Sequence, residues 1–372
     1  MSRRIKVFEV LECGSPHGVG RQVAAICRSV NRERFELWVV YAARPGCNAE
    51  EFEGMIPEAH RLVHIPEMVR EISPRKDASA FWKLYRLMRR EKPDVVHAHS
   101  SKAGVLARLA AKMAGVPRIY YSPHGYGFLQ TDVGPFSRGL YWFCEWAVSW
   151  IGHVVSTATG EARRARRLSW GKKVHVVHNL FLMEDAPATE APAQSETVTL
   201  GALGRITHAR NPEAFVRMAK SLSKRYPHAR FLWIGGGESE GSLRAEASAQ
   251  GLSDRLEVTG HIPRRELLKR LGRVDIFIHY SLWEGSPTSI LEAMFFAKPV
   301  IASRISGNDD LVLHGVTGFL AADEQELLRC ASRLIESPEL RSSMGKMGKE
   351  RLTREFAPDK SVAALETLYQ DL

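Results

Sequence analysis

A chain of 372 residues is long enough for two domains with full cores, and 44% hydrophobic with 25% charged residues is ordinary for a globular protein. Five scattered cysteines (Cys13, Cys27, Cys47, Cys144, Cys330) without a CxxC pair speak against a disulfide framework or a zinc site and suit a reducing cytoplasm. The net charge of +10 is uneven: residues 1–183 hold 28 Lys and Arg against 16 Asp and Glu, whereas residues 184–372 hold 24 against 26.

The amino terminus runs into a strand-like segment at Ile5–Val10, too short and interrupted for a signal peptide. A Gly/Pro turn follows, then a helix at Gln22–Val30 and a strand at Leu37–Tyr41. A helix at Ala78–Arg90 leads to the strand Asp94–His99, and a helix near Gly104–Ala114 to the strand Arg118–Ser122. Such alternation predicts a parallel, doubly wound sheet. Residues 183–194 are rich in Pro, Ala and Glu with little to bury, and read as a linker. A second alternation then predicts strands at Val198–Leu203, Arg230–Ile234 and Leu256–Thr259, with helices at Pro212–Arg225, Ser242–Gln250 and Arg264–Leu271. No segment offers roughly 18 uninterrupted apolar residues, the length a transmembrane helix needs. Two α/β domains place a ligand cleft outside the carboxyl ends of their strands.

The most informative stretch is Glu284-Gly285-Ser286-Pro287-Thr288-Ser289-Ile290-Leu291-Glu292. Asp275–Tyr280 before it reads as a buried strand; Ile290–Ala297 favours helix, Lys298-Pro299 stops it, and Val300–Ser303 is the next strand. Ser286 suits an N-cap and Pro287 the first helical position. The N–H groups of Thr288, Ser289 and Ile290 then lack intrahelical partners, which favours a phosphate at the helix start. A carboxylate on either side suits a ligand with phosphate at its centre and hydroxyl-rich ends, such as a nucleotide sugar. The plainer alternative is two surface glutamates on a βαβ unit.

Taken whole, the stretch resembles the donor-binding signature of family-4 (group 1) glycosyltransferases, with bacterial polysaccharide-assembly enzymes the closest group. The resemblance extends from Gly18 to the turn Gly315–Gly318. It implies the GT-B architecture: two doubly wound Rossmann-like domains with parallel sheets facing a central cleft. The corresponding division is an acceptor-side domain (1–183), a linker (184–196), a nucleotide-sugar-binding domain (197–355) and a last helix (356–372) crossing back to the first domain. It also implies a retaining, metal-independent hexosyltransferase. A UDP- or GDP-sugar is the co-substrate, no cofactor is needed, and a lipid-linked glycan is the acceptor.

By the same resemblance, Arg205 and Arg210 stabilise the departing diphosphate; Arg210 stands where the family has Lys, and Asn211 where it has Gly. Glu284 holds sugar hydroxyls, Glu292 the ribose hydroxyls, and Gly285, Ser286, Thr288 and Ser289 lie against the donor. His124, in Pro123-His124-Gly125, matches a family histidine beside the reacting carbon, so His124 and Glu284 are the catalytic candidates. Gly18 and Gly20 fall in the amino-terminal glycine loop, whose first glycine is His17 here. Asp310 stands where a Glu is more usual. His97 and His99 share a strand face as a metal pair would, but no third ligand follows at a familiar spacing; the resemblance instead marks His99, Ser100 and Lys102 as acceptor-side.

Aromatics crowd Phe136–Trp150, ahead of Arg163, Arg164, Arg166 and Arg167. Core packing is the expectation for this helix, and docking to an anionic membrane is the alternative. The protein is thus expected in the cytoplasm, with peripheral contact at the inner face of the plasma membrane as a corollary. Two rival functions remain. A sugar-nucleotide epimerase or phosphorylase shares the architecture. A nucleic-acid-binding protein has only the basic charge in its favour, since no recognised binding motif is present, and nucleic acid is not expected as a partner.

Overall fold

The computed structural model describes residues 3–16, 18–43, 49–69, 71–169, 173–182 and 197–371. The expected linker, 184–196, lies outside them. The chain forms two units, Met1–Leu182 with Phe356–Leu372, and Met183–Glu355.

The first unit runs β1 (Ile5–Gly14), α1 (Val19–Ser29), β2 (Phe35–Ala43), α2 (Ala49–Gly54), β3 (Arg61–His64), α3 (Pro74–Glu91), β4 (Val95–His99), α4 (Ser101–Ala114), β5 (Arg118–Ser122), α5 (Pro135–Val148), β6 (His153–Ser156), α6 (Thr159–Leu168) and β7 (Val174–Val176). The second runs β8 (Val198–Leu203), α7 (Pro212–Arg225), β9 (Ala229–Ile234), α8 (Glu240–Ala249), β10 (Leu256–Val258), α9 (Arg264–Gly272), β11 (Ile276–His279), α10 (Thr288–Phe295), β12 (Val300–Ser303), α11 (Asn308–Leu311), β13 (Gly318–Ala321), α12 (Glu324–Glu336) and α13 (Pro338–Glu355). The last helix, α14 (Pro358–Gln370), belongs to the first unit.

Every named strand pair is parallel. The sheet orders are β3-β2-β1-β4-β5-β6-β7 and β10-β9-β8-β11-β12-β13. Both are the doubly wound Rossmann order, in which the winding reverses beside the first strand. The reversal therefore lies between β1 and β4 in one unit and between β8 and β11 in the other. Residues leaving the carboxyl ends of those strands surround each unit's natural ligand crevice.

Near-continuous apolar runs, buried on both faces, make β1 and β2 central strands. Glu9, fully buried in the middle of β1, and Glu12, buried near its end, are exceptions. Helix α3 buries Ala80, Leu84, Leu87 and Met88 at helical spacing. It starts with Pro74 in its first turn and ends at Lys92 in the left-handed conformation, just before Pro93. Helix α14 covers β1, β4 and β5 through Tyr369, while Tyr120 Oη donates to the Leu368 carbonyl and Arg118 Nη1 to that of Tyr369 at 2.9 Å.

Helix α5 corrects the expectation of core packing. Its buried residues are Glu145 and Val148, whereas Phe136, Trp142, Phe143 and Trp146 are exposed. Arg108 of α4 donates to Glu145 Oε2 at 2.9 Å, and Tyr121 Oη to Glu145 Oε1 at 2.6 Å. The same guanidinium lies 4.0 Å from the Tyr121 ring centroid. This buried cluster orients the helix, so the aromatic rings face outward.

Candidate active site

In the second unit, the reversal point gathers the loops after β8 and β11. Leu282 N donates to the Ala209 carbonyl at 2.8 Å and ties them together. Arg210 and Glu284 thereby form an ion pair across 74 positions of chain. His279, the last residue of β11, completes the group: its Nε2 is 3.0 Å from Glu284 Oε1 and 2.7 Å from Arg210 Nη1. Its Nδ1 is 3.3 Å from Ser289 Oγ. Burial opposes charge on Glu284, but the Arg210 cation and the His279 hydrogen bond prevail and hold its carboxyl down at about 2. Burial, and then the Arg210 charge, push the His279 imidazole down as well. His279 went unnoticed in the sequence because a histidine inside an apolar strand reads as part of the strand.

The start of α10 corrects the expected cap by one residue. Pro287 is the N-cap and Thr288 the first helical residue, with no side-chain cap from Ser286. Ile290 N donates to the Pro287 carbonyl at 3.2 Å, so its N–H is engaged in the tightened first turn. Thr288 and Ser289 remain as the N–H groups aimed out of the helix start. Gly285 and Ser286 form the bend leading to them.

Glu292 is buried one turn further on, and Arg264 Nη2 at the head of α9 lies 2.6 Å from its Oε1. Sequence reading did not single out Arg264, since one arginine among the basic residues of α9 carries no local signal. Arg205 lies at the surface, with its Nη2 3.0 Å from Glu238 Oε2. An exposed pair of this kind contributes little and is readily exchanged for a ligand anion. Asn211 has φ 53°, and its side chain accepts from Ala214 N to cap α7. Asparagine tolerates the left-handed region better than most residues, which explains its standing where the resemblance implies glycine.

In the first unit, Gly18 caps α1 at φ 52°, and a Cβ on Gly20 would lie 2.0 Å from the Ser15 carbonyl oxygen. Both positions of the turn therefore require glycine; His17 lies outside the described residues. His124 follows β5 at φ 52°, an uncommon conformation for its type. Its Nε2 is 2.9 Å from Nδ1 of His99, whose Nε2 is 2.7 Å from Glu9 Oε2. The register explains the line: Glu9 pairs with His97, and His99 with Ser122, so their side chains share one sheet face.

His99 is buried behind His124, Ser100 occupies the N-cap of α4 at φ 67°, and Lys102 pairs with Asp77 at 2.6 Å. Burial, followed by the neighbouring histidines, pushes the His97 and His124 imidazoles well below their ordinary range.

Ligand atoms of Glu9, His97 and His99 lie within 4.8 Å of one another, so the fold supplies a third potential metal ligand that chain spacing did not reveal. All their polar side-chain atoms already have hydrogen-bond partners. Tyr369 Oη serves Glu9 Oε1 and His97 Nδ1, Ser122 Oγ serves His97 Nε2, and His124 serves His99 Nδ1.

Comparison with known proteins matches both units. Residues 16–181 match the family described as Glycosyltransferase Family 4, and residues 188–351 the family described as Glycosyl transferases group 1. The chain is 28% identical over 333 residues to the Escherichia coli UDP-Gal:alpha-D-GlcNAc-diphosphoundecaprenol alpha-1,3-galactosyltransferase, covering 85% of each. It is 23% identical over 332 residues to the capsular polysaccharide biosynthesis glycosyltransferase CapM of Staphylococcus aureus, covering 83% of this chain and 85% of that one. In fold it resembles Anabaena HepE, solved with UDP and glucose (TM-score 0.80, 16% identity, 99% of this chain and 100% of that one). With matches in both units and the reversal-point geometry described above, the chain belongs to the family-4, group 1 glycosyltransferases.

Proposed function

We propose that the protein transfers a hexose from a UDP-sugar to a sugar hydroxyl of a polyprenyl-diphosphate-linked glycan in bacterial surface polysaccharide assembly. The observation that carries the donor side is the partly buried Arg210–His279–Glu284 group beside the start of α10. The family supports glycosyl transfer, and the names of its E. coli and S. aureus relatives support the polysaccharide setting and the lipid-linked acceptor. UDP is preferred over GDP because the E. coli relative is named for UDP-Gal.

Diphosphate is held by the Thr288 and Ser289 N–H groups, Arg210, and Arg205 after release from Glu238. These groups provide the positive potential that a metal supplies elsewhere, so the reaction is proposed to be metal-independent. Glu284 receives sugar hydroxyls and Glu292, steadied by Arg264, the ribose. By the resemblance His124 is assigned a catalytic role, and His99, Ser100 and Lys102 are assigned to the acceptor side. The bond from the anomeric carbon to the phosphate oxygen breaks as the acceptor oxygen bonds on the same face. The departing phosphate oxygen takes the acceptor's proton, and configuration is retained. Positioning and charge stabilisation are the main catalytic contributions. The reaction is placed at the inner face of the plasma membrane, where nucleotide sugar and lipid-linked acceptor meet.

A thermal-shift panel of UDP-, GDP-, ADP- and dTDP-sugars on wild type and Glu292→Ala tests the donor site. A ligand at 100 times its Kd adds about 2.7 kcal/mol of stability. The expected result is a UDP-sugar response that Glu292→Ala loses. A wild type indifferent to every donor, or a variant responding equally, overturns the donor-site assignment. Product analysis separates transfer from epimerisation or phosphorolysis.

A further inference from the structure

Helix α5 carries Phe136, Leu140, Trp142, Phe143 and Trp146 on its exposed side, and Trp150 extends the row just past its end. Phe136 is 85% exposed, Phe143 54% and Trp150 53%, far more than core residues of their size. At 3.6 residues per turn these side chains cover an arc of about 160°, opposite the Arg108–Glu145 anchor. Contiguous exposed apolar surface of this kind marks an interaction site.

The exposed charge on α5 and α6 is of one sign. The acids of α5 and α6 are Glu145 and Glu161, both buried. Glu145 is committed to Arg108 and Tyr121, and Glu161 to the N–H groups of Gly125 and Thr157. Arg163, Arg166 and Arg167 of α6 are exposed and Arg164 partly so. The carboxyl ends of the two helices meet where Ser149 Oγ donates to the Leu168 carbonyl at 3.2 Å. There Lys112 lies 5.9 Å from the Trp150 ring centroid. Asp132, an exposed acid, precedes the opposite end of α5.

We infer that this face docks on an anionic lipid bilayer, with the α5 rings entering the headgroup boundary and the α6 arginines contacting lipid phosphates. Tryptophan and phenylalanine beside arginine suit a medium that is apolar on one side and anionic at its surface. A protein partner would have to present a large apolar patch with acids along only one edge; an anionic bilayer presents both features along its whole surface. The choice of lipid rests on the proposed lipid-linked acceptor, and the docking face itself rests on exposure and charge.

The test is flotation of the full-length protein with vesicles of phosphatidylcholine alone and of phosphatidylcholine mixed with phosphatidylglycerol. Two variants accompany it, Trp142→Ser/Phe143→Ser/Trp146→Ser and Arg163→Gln/Arg166→Gln/Arg167→Gln. Wild type is expected to float with the anionic vesicles and to be released by salt. Each variant should bind them at least about tenfold less, the arginine variant also losing the preference for anionic lipid. Retention of the UDP-sugar thermal shift by both variants shows that they are folded. Failure of wild type to float, or flotation of both variants like wild type, overturns the inference. So does a concentration-dependent dimer, abolished by the apolar variant, in a protein that ignores vesicles. A normal donor response alongside any of these outcomes leaves the proposed transferase activity standing.

Discussion

His99 Nδ1 lies 2.9 Å from His124 Nε2 and makes the orientation of one imidazole depend on the other. On its far side His99 donates from Nε2 to Glu9 Oε2, so Nδ1 is the acceptor and His124 must donate from Nε2. These tautomers are assigned from the hydrogen-bond pattern. Glu9 is held in turn by Tyr369 of α14. The last helix thus reaches His124 through two buried side chains, and His124 presents Nδ1 as its remaining ring acceptor.

Breaking that line should disturb His124 without removing it. In Glu9→Gln an amide NH2 can face His99 Nε2, allowing the tautomers along the line to reverse. The expected loss in kcat is about 10- to 100-fold, with donor KM little changed, because misplacement costs orientation rather than binding. Nitrogen-15 NMR of the His124 ring should show Nε2–H in wild type and a mixture in the variant. Tyr369→Phe should act in the same direction, more weakly. An unchanged tautomer with equal losses in kcat and stability would reduce Glu9 to a structural role.

Two imidazoles on this sheet face, His97 buried and His124 partly so, also set a pH dependence. His97 and His124 have folded-state values well below the ordinary 6.5, so the unfolded chain binds more protons below that pH. Stability is therefore complete above about pH 6.5 and falls as pH drops, each histidine contributing a slope of up to about 1.4 kcal/mol per unit. Urea midpoints from pH 7 to 5 should show this decline, and His97→Gln should make it shallower. A parallel decline in both proteins would contradict the assignment.

The alternation of elements was legible because periodicity and breaker residues are local. Arg118–Ser122, Val198–Leu203, Pro212–Arg225 and Val300–Ser303 form over the expected residues. Weaker segments were missed, among them β3, which has no fully buried residue, and the short β6 and β7 around the arginine-rich α6. Motif spacing identified Arg210 and Glu284 but could not pair them, since contact across 74 positions depends on sheet order. Glu9 was hidden for a related reason: only the register against β4 gives a charge inside an apolar strand its meaning. In α5 the signal was present but discounted, because Glu145 was the one acid in an aromatic helix and marked the inward side.

Arg210 and Glu284 should behave as one unit. Arg210→Ala leaves Glu284 buried without its cation, for an expected loss of about 3–5 kcal/mol together with donor affinity. The folded-state value of about 2 is below the ordinary 4.5, so the carboxylate's contribution is present above about pH 4.5 and lost as pH falls toward 2. Wild type should accordingly exceed Glu284→Gln in stability at pH 6, with a gap that narrows through pH 4 and 3. Guanidinium titrations of both proteins across that range check it, and a gap independent of pH would refute the assigned coupling.

Arg108 and Glu145 offer a different test, because their ion pair is fully enclosed and determines which side of α5 faces out. Arg108→Met leaves a carboxylate among Tyr121, Val148 and the α4 backbone, and should cost about 3–5 kcal/mol in urea denaturation. The double variant Arg108→Met/Glu145→Leu removes both charges and should recover most of that loss, since a well-packed apolar pair commonly matches a buried ion pair in stability. Recovery would not restore the orientation signal, because a leucine no longer distinguishes the inward stripe of α5 from the aromatic one. Protease sensitivity and exchange of the α5 amides should therefore rise in the double variant even as global stability returns. Wild-type-like exchange in that variant would mean that helix packing, rather than the charge pair, holds the aromatic face outward.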